Sequence, residues 1–224
     1  MKQLSVTLDS FRSHAYQDVE IIVVDDGSTD ETEEILGRHV DLVQAIYTRR
    51  QGSFFLNGSG PMNLGHSHAR SDVVLEQGGE VVHVNDCVSP MVDACRQGIV
   101  AIARVFHGTP SELDRLLEDQ RTGMLEVVED VEVADVCCDW SRGAVPRVGR
   151  HNVRLYTGKE RQAPLLFLGA VHRLDWEAIG GYDETLGTRN RNNDGDLAKR
   201  LMERGVRFRF LGNAIAFHQE HPKI

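Results

Sequence analysis

Asp25 and Asp26 stand side by side directly after the apolar run Ile21, Ile22, Val23 and Val24, and the string continues through Gly27-Ser28-Thr29-Asp30. A carboxylate is costly to bury without a partner. Two of them at the end of an apolar strand must therefore face solvent, a cation or hydrogen-bond donors. The N–H of a base ring and the hydroxyls of a ribose are donors of that kind. The plainer reading is that one of the pair only caps the turn before Ser28. Among the other reactive types, Cys87, Cys95, Cys137 and Cys138 form no Cys-x-x-Cys pair. They read as reduced core cysteines rather than metal ligands.

These carboxylates need a scaffold. Leu4, Val6, Leu8 and Phe11 mark a short amphipathic helix that leads into a strand over Val19–Val24. The continuous β-branched run predicts a strand covered on both faces. Ser28 and Glu31 have capping-box spacing, which predicts a helix from Thr29 to Leu36 ending at Gly37. A strand over Leu42–Tyr47 follows, then a Gly-, Ser- and Asn-rich loop from Arg49. Further helices are expected over Leu64–Ala69, Cys87–Arg96 and Asp194–Arg204, and another starting at Thr109-Pro110. Strands are expected over Asp72–Glu76, Ile99–Phe106, Val206–Leu211 and Ala214–Phe217, with Leu165–Val171 apolar. Residues 136–163 show weak periodicity and receive no assignment. Strands alternating with helices argue for an α/β fold with a mostly parallel mixed sheet flanked by helices. In such sheets ligands bind beyond the carboxyl ends of the strands, where Asp25 and Asp26 lie.

The 224 residues suit a single domain, residues 1–224, with a nucleotide-binding half over 1–100 and an acceptor and catalytic half over 101–224. Net charge is −9, which disfavours a generic nucleic-acid binder. No apolar run has the length of a membrane span, and the first residues lack a signal-peptide pattern, so a cytoplasmic location is expected.

Four stretches carry a resemblance, in order. "DVEIIVVDDGSTDETEEIL" (18–36), preceded by "LDSFRSHAYQ", resembles the nucleotide-binding segment of family-2-type glycosyltransferases of the GT-A fold. "NLGHSHARSDVVL" (63–75) resembles that family's Asn-x-Gly-x-x-x-Ala segment. "FLGAVHRLDWEAIGGYDE" (167–184) resembles its acceptor-side segment, and "NNDGDLAKRLMERGVRFRFLGNAIAFH" (192–218) its catalytic helix, last strands and terminal histidine. The resemblance implies transfer of a sugar from a nucleotide-diphosphate sugar, UDP- or GDP-linked, to a hydroxyl of a glycan, a lipid-linked or another acceptor. It implies Asp26 at the base, Asp25 in support, Asp194 as general base, and single-displacement inversion. It also implies a divalent cation, Mn2+ or Mg2+, held by Glu80 and His218, with His83 and His221 as weaker candidates.

Three departures stand beside the resemblance. The family's Asp-x-Asp triplet aligns with Gly78-Gly79-Glu80, and its Glu-Asp pair with Asn193-Asp194. Its opening apolar strand has no counterpart before the first helix, so the chain is expected to be an N-terminally shortened form, and strands beside Val19–Val24 are expected to lack a ladder partner. Asp194 can also act as a helix cap, and Asp196 reads as structural. Arg104, Arg173, Lys199 and Arg200 are cations for a diphosphate, with Lys199 and Arg200 read as surface residues. The 49–62 loop, with Gly52, Gly58 and Gly60, reads as a lid or a plain surface loop. The alternative function is a catalytically inactive nucleotide-sugar- or partner-binding module on the same fold.

Overall fold

Leu4 and Leu8 lie one helical turn apart, and the chain buries both on one face of α1 (Lys2–Phe11). β1 (Ile21–Asp25), α2 (Thr32–Arg38) and β2 (Val43–Tyr47) follow. β1 and β2 pair in parallel, from Ile21 opposite Val43 to Asp25 opposite Tyr47, as a two-stranded sheet of their own. Leu4, Leu8, Ile35 and Leu36 form its small core against Ile21, Val23, Leu42 and Val43. The computed structural model describes residues 2–12, 16, 18–48, 58–133, 146–157, 166–186 and 193–220. Residues 49–57 with Gly52, and Cys137, Cys138, Leu165 and His221, lie outside the described residues.

Then come α3 (Ser59–His68), β3 (Val73–Gln77), β4 (Val81–His83), α4 (Val88–Arg96), β5 (Ile99–Gly108) and α5 (Pro110–Thr122). β6 (Val131–Val133), β7 (Arg147–Val148), β8 (Val153–Thr157), β9 (Leu168–His172), α6 (Arg173–Ala178), α7 (Asn193–Glu203) and β10 (Arg207–Gln219) complete the described elements. β5, buried along almost its whole length, and β10 run side by side in parallel as the centre of the larger sheet. Each has a split outer edge. β10 carries β6 on Phe208–Phe210 and β4 on Ala216–His218. β5 carries β9 on Ala101–Ile102 and β8 on Val105–His107, and β9 continues to β3. The sheet is mixed: β5–β10 is its parallel pair, and the other pairings are antiparallel.

Several sequence expectations shift. Ile21–Val24 meet helices on both faces, Ile21 and Val23 against α1 and α2 and Val24 toward α3, but they are half-buried rather than fully buried. The Ser28–Glu31 capping box does not form. Asp25 Oδ1 takes the Ser28 amide at 2.8 Å, so the chain is still turning at Ser28 and α2 starts at Thr32. There Asp30 Oδ1 accepts the Thr32 amide at 3.0 Å and its hydroxyl at 2.6 Å. α3 takes in residues read as loop, with Pro61 inside the first turn, where its missing N–H has no helical partner. α5 forms with Thr109 and Glu112 as a capping box. α7 stops at Glu203, two residues before Gly205, whose φ of +82° favours glycine.

The two last strands are one. Between Leu211 and Ile215 the register shifts, and side chains complete the ladder. Asn85 Oδ1 accepts the Ile215 amide at 2.8 Å, Asn85 Nδ2 donates to Asn213 O at 2.6 Å, and Asp130 Oδ1 accepts the Gly212 amide at 2.9 Å.

Candidate active site

β1 ends at Asp25, whose carboxylate is buried and closes the turn through Ser28. Gly27 takes φ +81° there, a conformation open to glycine. Asp26 is half-buried, and its Oδ1 accepts the Thr48 hydroxyl at 2.7 Å just beyond β2. The Thr48 amide donates to Asp25 O at 2.9 Å. The adjacent carboxylates thus divide their work. Asp25 shapes the turn, while Asp26 is held by Thr48 at the carboxyl end of the small sheet.

A second group sits where β5 and β10 end. His218 lies opposite Val81 in one ladder and opposite His107 in the other. Glu80, just before Val81, brings Oε1 to 3.1 Å from His218 Nε2. A Cβ on Gly78 would lie 2.7 Å from that same oxygen. The Glu80 carboxylate therefore lies against the open side of Gly78. His107 Nδ1 lies 3.1 Å from His218 Nδ1. Tyr156 stacks on His107 at 4.3 Å, and Phe167 meets His218 edge-on at 5.0 Å. Burial, then the charges of His218 and Arg154, push the His107 pKa down to about 4.

This donor set, carboxylate with imidazole, suits a first-row divalent cation. The 3.1 Å separation of Glu80 Oε1 and His218 Nε2 is close to the ~3 Å between neighbouring ligands around an ion with bonds of about 2.1 Å. Among the described residues no group of three His, Cys, Asp or Glu is arranged to hold a metal ion. A cation here would need further oxygen ligands. His83 is engaged elsewhere: its Nε2 meets Gln77 Oε1 at 2.7 Å and its ring packs on Phe11.

The third group surrounds Asp194, in the first turn of α7. Its Oδ2 accepts the Leu166 amide at 3.2 Å. Burial, then the charge of Glu76, push its pKa up to about 6. Glu76 is buried in β3, where Tyr182 donates its hydroxyl at 2.5 Å and His66 meets it through Nε2. His66 stacks on Trp176 at 4.3 Å. Asn63 ties the Gly181–Glu184 turn to α3: its Nδ2 donates to Tyr182 O at 2.9 Å and to Glu184 Oε1 at 2.7 Å, and its Oδ1 accepts the Tyr182 amide at 2.9 Å. Gly181 has φ +70°, and a Cβ there would lie 2.4 Å from the Trp176 ring. Two stretches far apart in sequence are one structure here.

Two elements connect the groups. α3 reaches β1, where a Cβ on Gly65 would sit 3.4 Å from Val24, and its next residue, His66, reaches Glu76 on β3. β3 and the turn after it supply Glu76 to the Asp194 group and Glu80 to the His218 group. Sequence reasoning missed Glu76, His66, Tyr182 and His107. The buried alternation of Val153, Leu155 and Thr157 was a readable signal for β8, and through it for the wall beside His107.

The candidate diphosphate cations are otherwise engaged. Arg104 is buried on β5, donates to Glu126 O at 3.3 Å and lies over the Phe106 ring. Arg173 donates to Ala69 O at 3.3 Å and sits near Asp72 and Glu177. Lys199 is exposed, as expected, but Arg200 is half-buried. It pairs with Asp196 at 2.7 Å and donates to Ile179 O and Gly181 O, which explains the structural role of Asp196.

Among the described residues no helix is long and apolar enough to cross a membrane. In structure the chain is similar to GalNAc-T7, solved with UDP, GalNAc and Mn2+, with a TM-score of 0.67 and 14% identity over 99% of this chain and 41% of that one. It is also similar to S. aureus TarS 1-349, with a TM-score of 0.63 and 13% identity over 97% of this chain and 57% of that one. The chain therefore spans about two-fifths of the one solved chain and somewhat over half of the other. No curated protein matches its sequence. The fold is the GT-A glycosyltransferase fold. Residues 2–142, more than half of the chain, match the family model for glycosyl transferase family 2, and the chain belongs to that family.

Proposed function

We propose that this chain transfers a sugar from a nucleotide-diphosphate sugar, UDP- or GDP-linked, to an acceptor hydroxyl with inversion, and that Asp194 is the general base. The observation that carries this reading is the setting of Asp194, enclosed beside Glu76 with its pKa pushed up to about 6. A carboxylate so tuned is ionised at neutral pH and still basic enough to take a proton. The acceptor oxygen forms a bond to the anomeric carbon as its proton passes to the Asp194 carboxylate. The bond from that carbon to the diphosphate oxygen breaks, and its electron pair leaves with the nucleoside diphosphate.

Asp26, held by Thr48, would meet the base, and Asp25 would keep the turn that presents it. Glu80 and His218 would hold a divalent cation, Mn2+ or Mg2+. Such a cation neutralises the charge that develops on the leaving diphosphate.

The test is transfer from a panel of UDP- and GDP-sugars with Mn2+, comparing the wild type with Asp194→Asn. Turnover should fall by about 10²–10⁴-fold in the variant while donor binding persists. Donor binding with no turnover in the wild type would instead identify a non-catalytic nucleotide-sugar-binding module.

A further inference from the structure

His107 and His218 meet nitrogen to nitrogen. Their Nδ1 atoms lie 3.1 Å apart, so one donates and the other accepts. The other nitrogen of each ring faces a carboxylate. His218 Nε2 lies 3.1 Å from Glu80 Oε1, and His107 Nε2 lies 3.9 Å from Glu220 Oε1. Glu220 is fixed in turn: its amide donates to Gly108 O at 3.1 Å, and Arg154 pairs with its carboxylate. Tyr156, stacked on His107 with only 5° between the rings, restrains the imidazole.

We propose that His107 is a positioning residue for a divalent cation at Glu80 and His218: it accepts the Nδ1 proton of His218 and so leaves the His218 Nε2 lone pair for the cation. This rests on the assignment of Glu80 and His218 made above. A neutral imidazole carries one proton, and the bond made by one nitrogen decides which nitrogen is left to bind a metal. With His107 accepting at Nδ1, its own proton lies on Nε2, toward Glu220. Glu220 Oε1, 3.9 Å away, is too far to accept a hydrogen bond there but places a carboxylate on that side of the ring. In the opposite polarity His218 Nε2 carries a proton toward Glu80. Conversion removes one proton from His218 Nε2, passes one from His107 Nδ1 to His218 Nδ1, and adds one to His107 Nε2. The two rings keep the same number of protons. An imidazole nitrogen at the site favours Mn2+, Co2+ or Zn2+ over Mg2+.

The full-length chain is titrated with Mn2+ and followed by electron paramagnetic resonance. Zn2+ serves as the probe for nitrogen-15 NMR of the histidines. Zn2+ is expected to bind His218 at Nε2 while Nδ1 stays protonated. His107→Phe, which keeps an aromatic ring against Tyr156 but removes the acceptor, should weaken Mn2+ binding by about 10–100-fold. His107→Asn, which retains a side-chain acceptor, should recover most of that loss. Unchanged Mn2+ affinity in His107→Phe, coordination through His218 Nδ1, or no Mn2+ binding by the wild type overturns the proposal. If His107→Phe does not fold, the wild-type nitrogen-15 spectrum with Zn2+ decides: His218 bound at Nε2 with Nδ1 protonated supports the proposal, and binding through Nδ1 overturns it. A chain that binds the metal through His218 Nε2 yet transfers no sugar defeats the catalytic reading and leaves this one standing.

Discussion

At the scale of single residues, Asp194 and Glu76 explain each other. Position 193 is Asn, so the carboxylate that neighbours Asp194 comes from β3 instead of from the preceding residue. Raising the pKa of Asp194 to about 6 has a cost in stability. Between its unfolded value near 4 and about 6, the folded state binds more protons than the unfolded one, so this contribution to stability falls as pH rises through that window. Replacing Asp194 by Asn should therefore stabilise the chain at pH 7, by on the order of 1–3 kcal/mol, and by much less at pH 4. Thermal melts of both proteins across that range check it, and equal pH dependence in the two would refute it. His107 works in the opposite direction: its lowered pKa withdraws stability as pH falls below its ordinary value, but that term is common to both proteins and cancels. The same reasoning predicts the rate profile. Transfer should rise through about pH 6, and Glu76→Gln should move that limb to lower pH by removing the neighbouring charge. Asp25 and Asp26 were legible because the pair and its apolar strand are contiguous. Glu76 was not, because the residues that give it meaning, Tyr182 and Asp194, lie more than a hundred positions away.

At the scale of elements, β10 shows how far local reading reaches. Gly212 and Asn213 look like a break between two strands, and in the isolated segment they would be one. The structure keeps one strand because Asn85, Asp130 and the chain near Val128 approach it there. A Cβ on Gly212 would lie 1.8 Å from the Val128 carbonyl oxygen. That neighbour is backbone and has no rotamer to escape into. Gly212→Ala should therefore displace the 124–130 segment and cost about 2–4 kcal/mol, a large single-site loss. Since the second half of β10 carries His218, Mn2+ affinity should fall in the same variant. Calorimetry with a metal titration measures both, and a variant that melts like the wild type would show that the close approach is not needed. An interior glycine in a strand is a sequence-level sign of close backbone approach, but the partner is non-local, so the sign did not name Val128.

At the scale of the whole molecule, four motifs in order were enough for the fold, because each is a local stretch with its own pattern. The pairing of strands was less legible, since register and direction depend on contacts far apart in sequence. The antiparallel edges of the larger sheet and the separation of β1–β2 both belong to that class. The separation has a dynamic consequence. β1 and β2 share one ladder and a core of few residues, whereas β5 is buried almost throughout and paired on both edges. Opening free energies follow local burial and pairing. Amide exchange at Ile22–Asp25 should then be faster than at Ile102–Phe106 by orders of magnitude. The donor is expected to engage this weaker unit through Asp26, so binding should protect it by mass action, with RT ln(1 + [L]/Kd) reaching about 2.7 kcal/mol at a hundredfold excess over Kd. Hydrogen–deuterium exchange with and without UDP or GDP reads both parts. Protection that rises at Asp25–Ser28 with one nucleotide and not the other would also identify the base. Uniform exchange across both sheets would mean that β1 and β2 open only with the whole chain, and that the small sheet is not the weak part of the molecule.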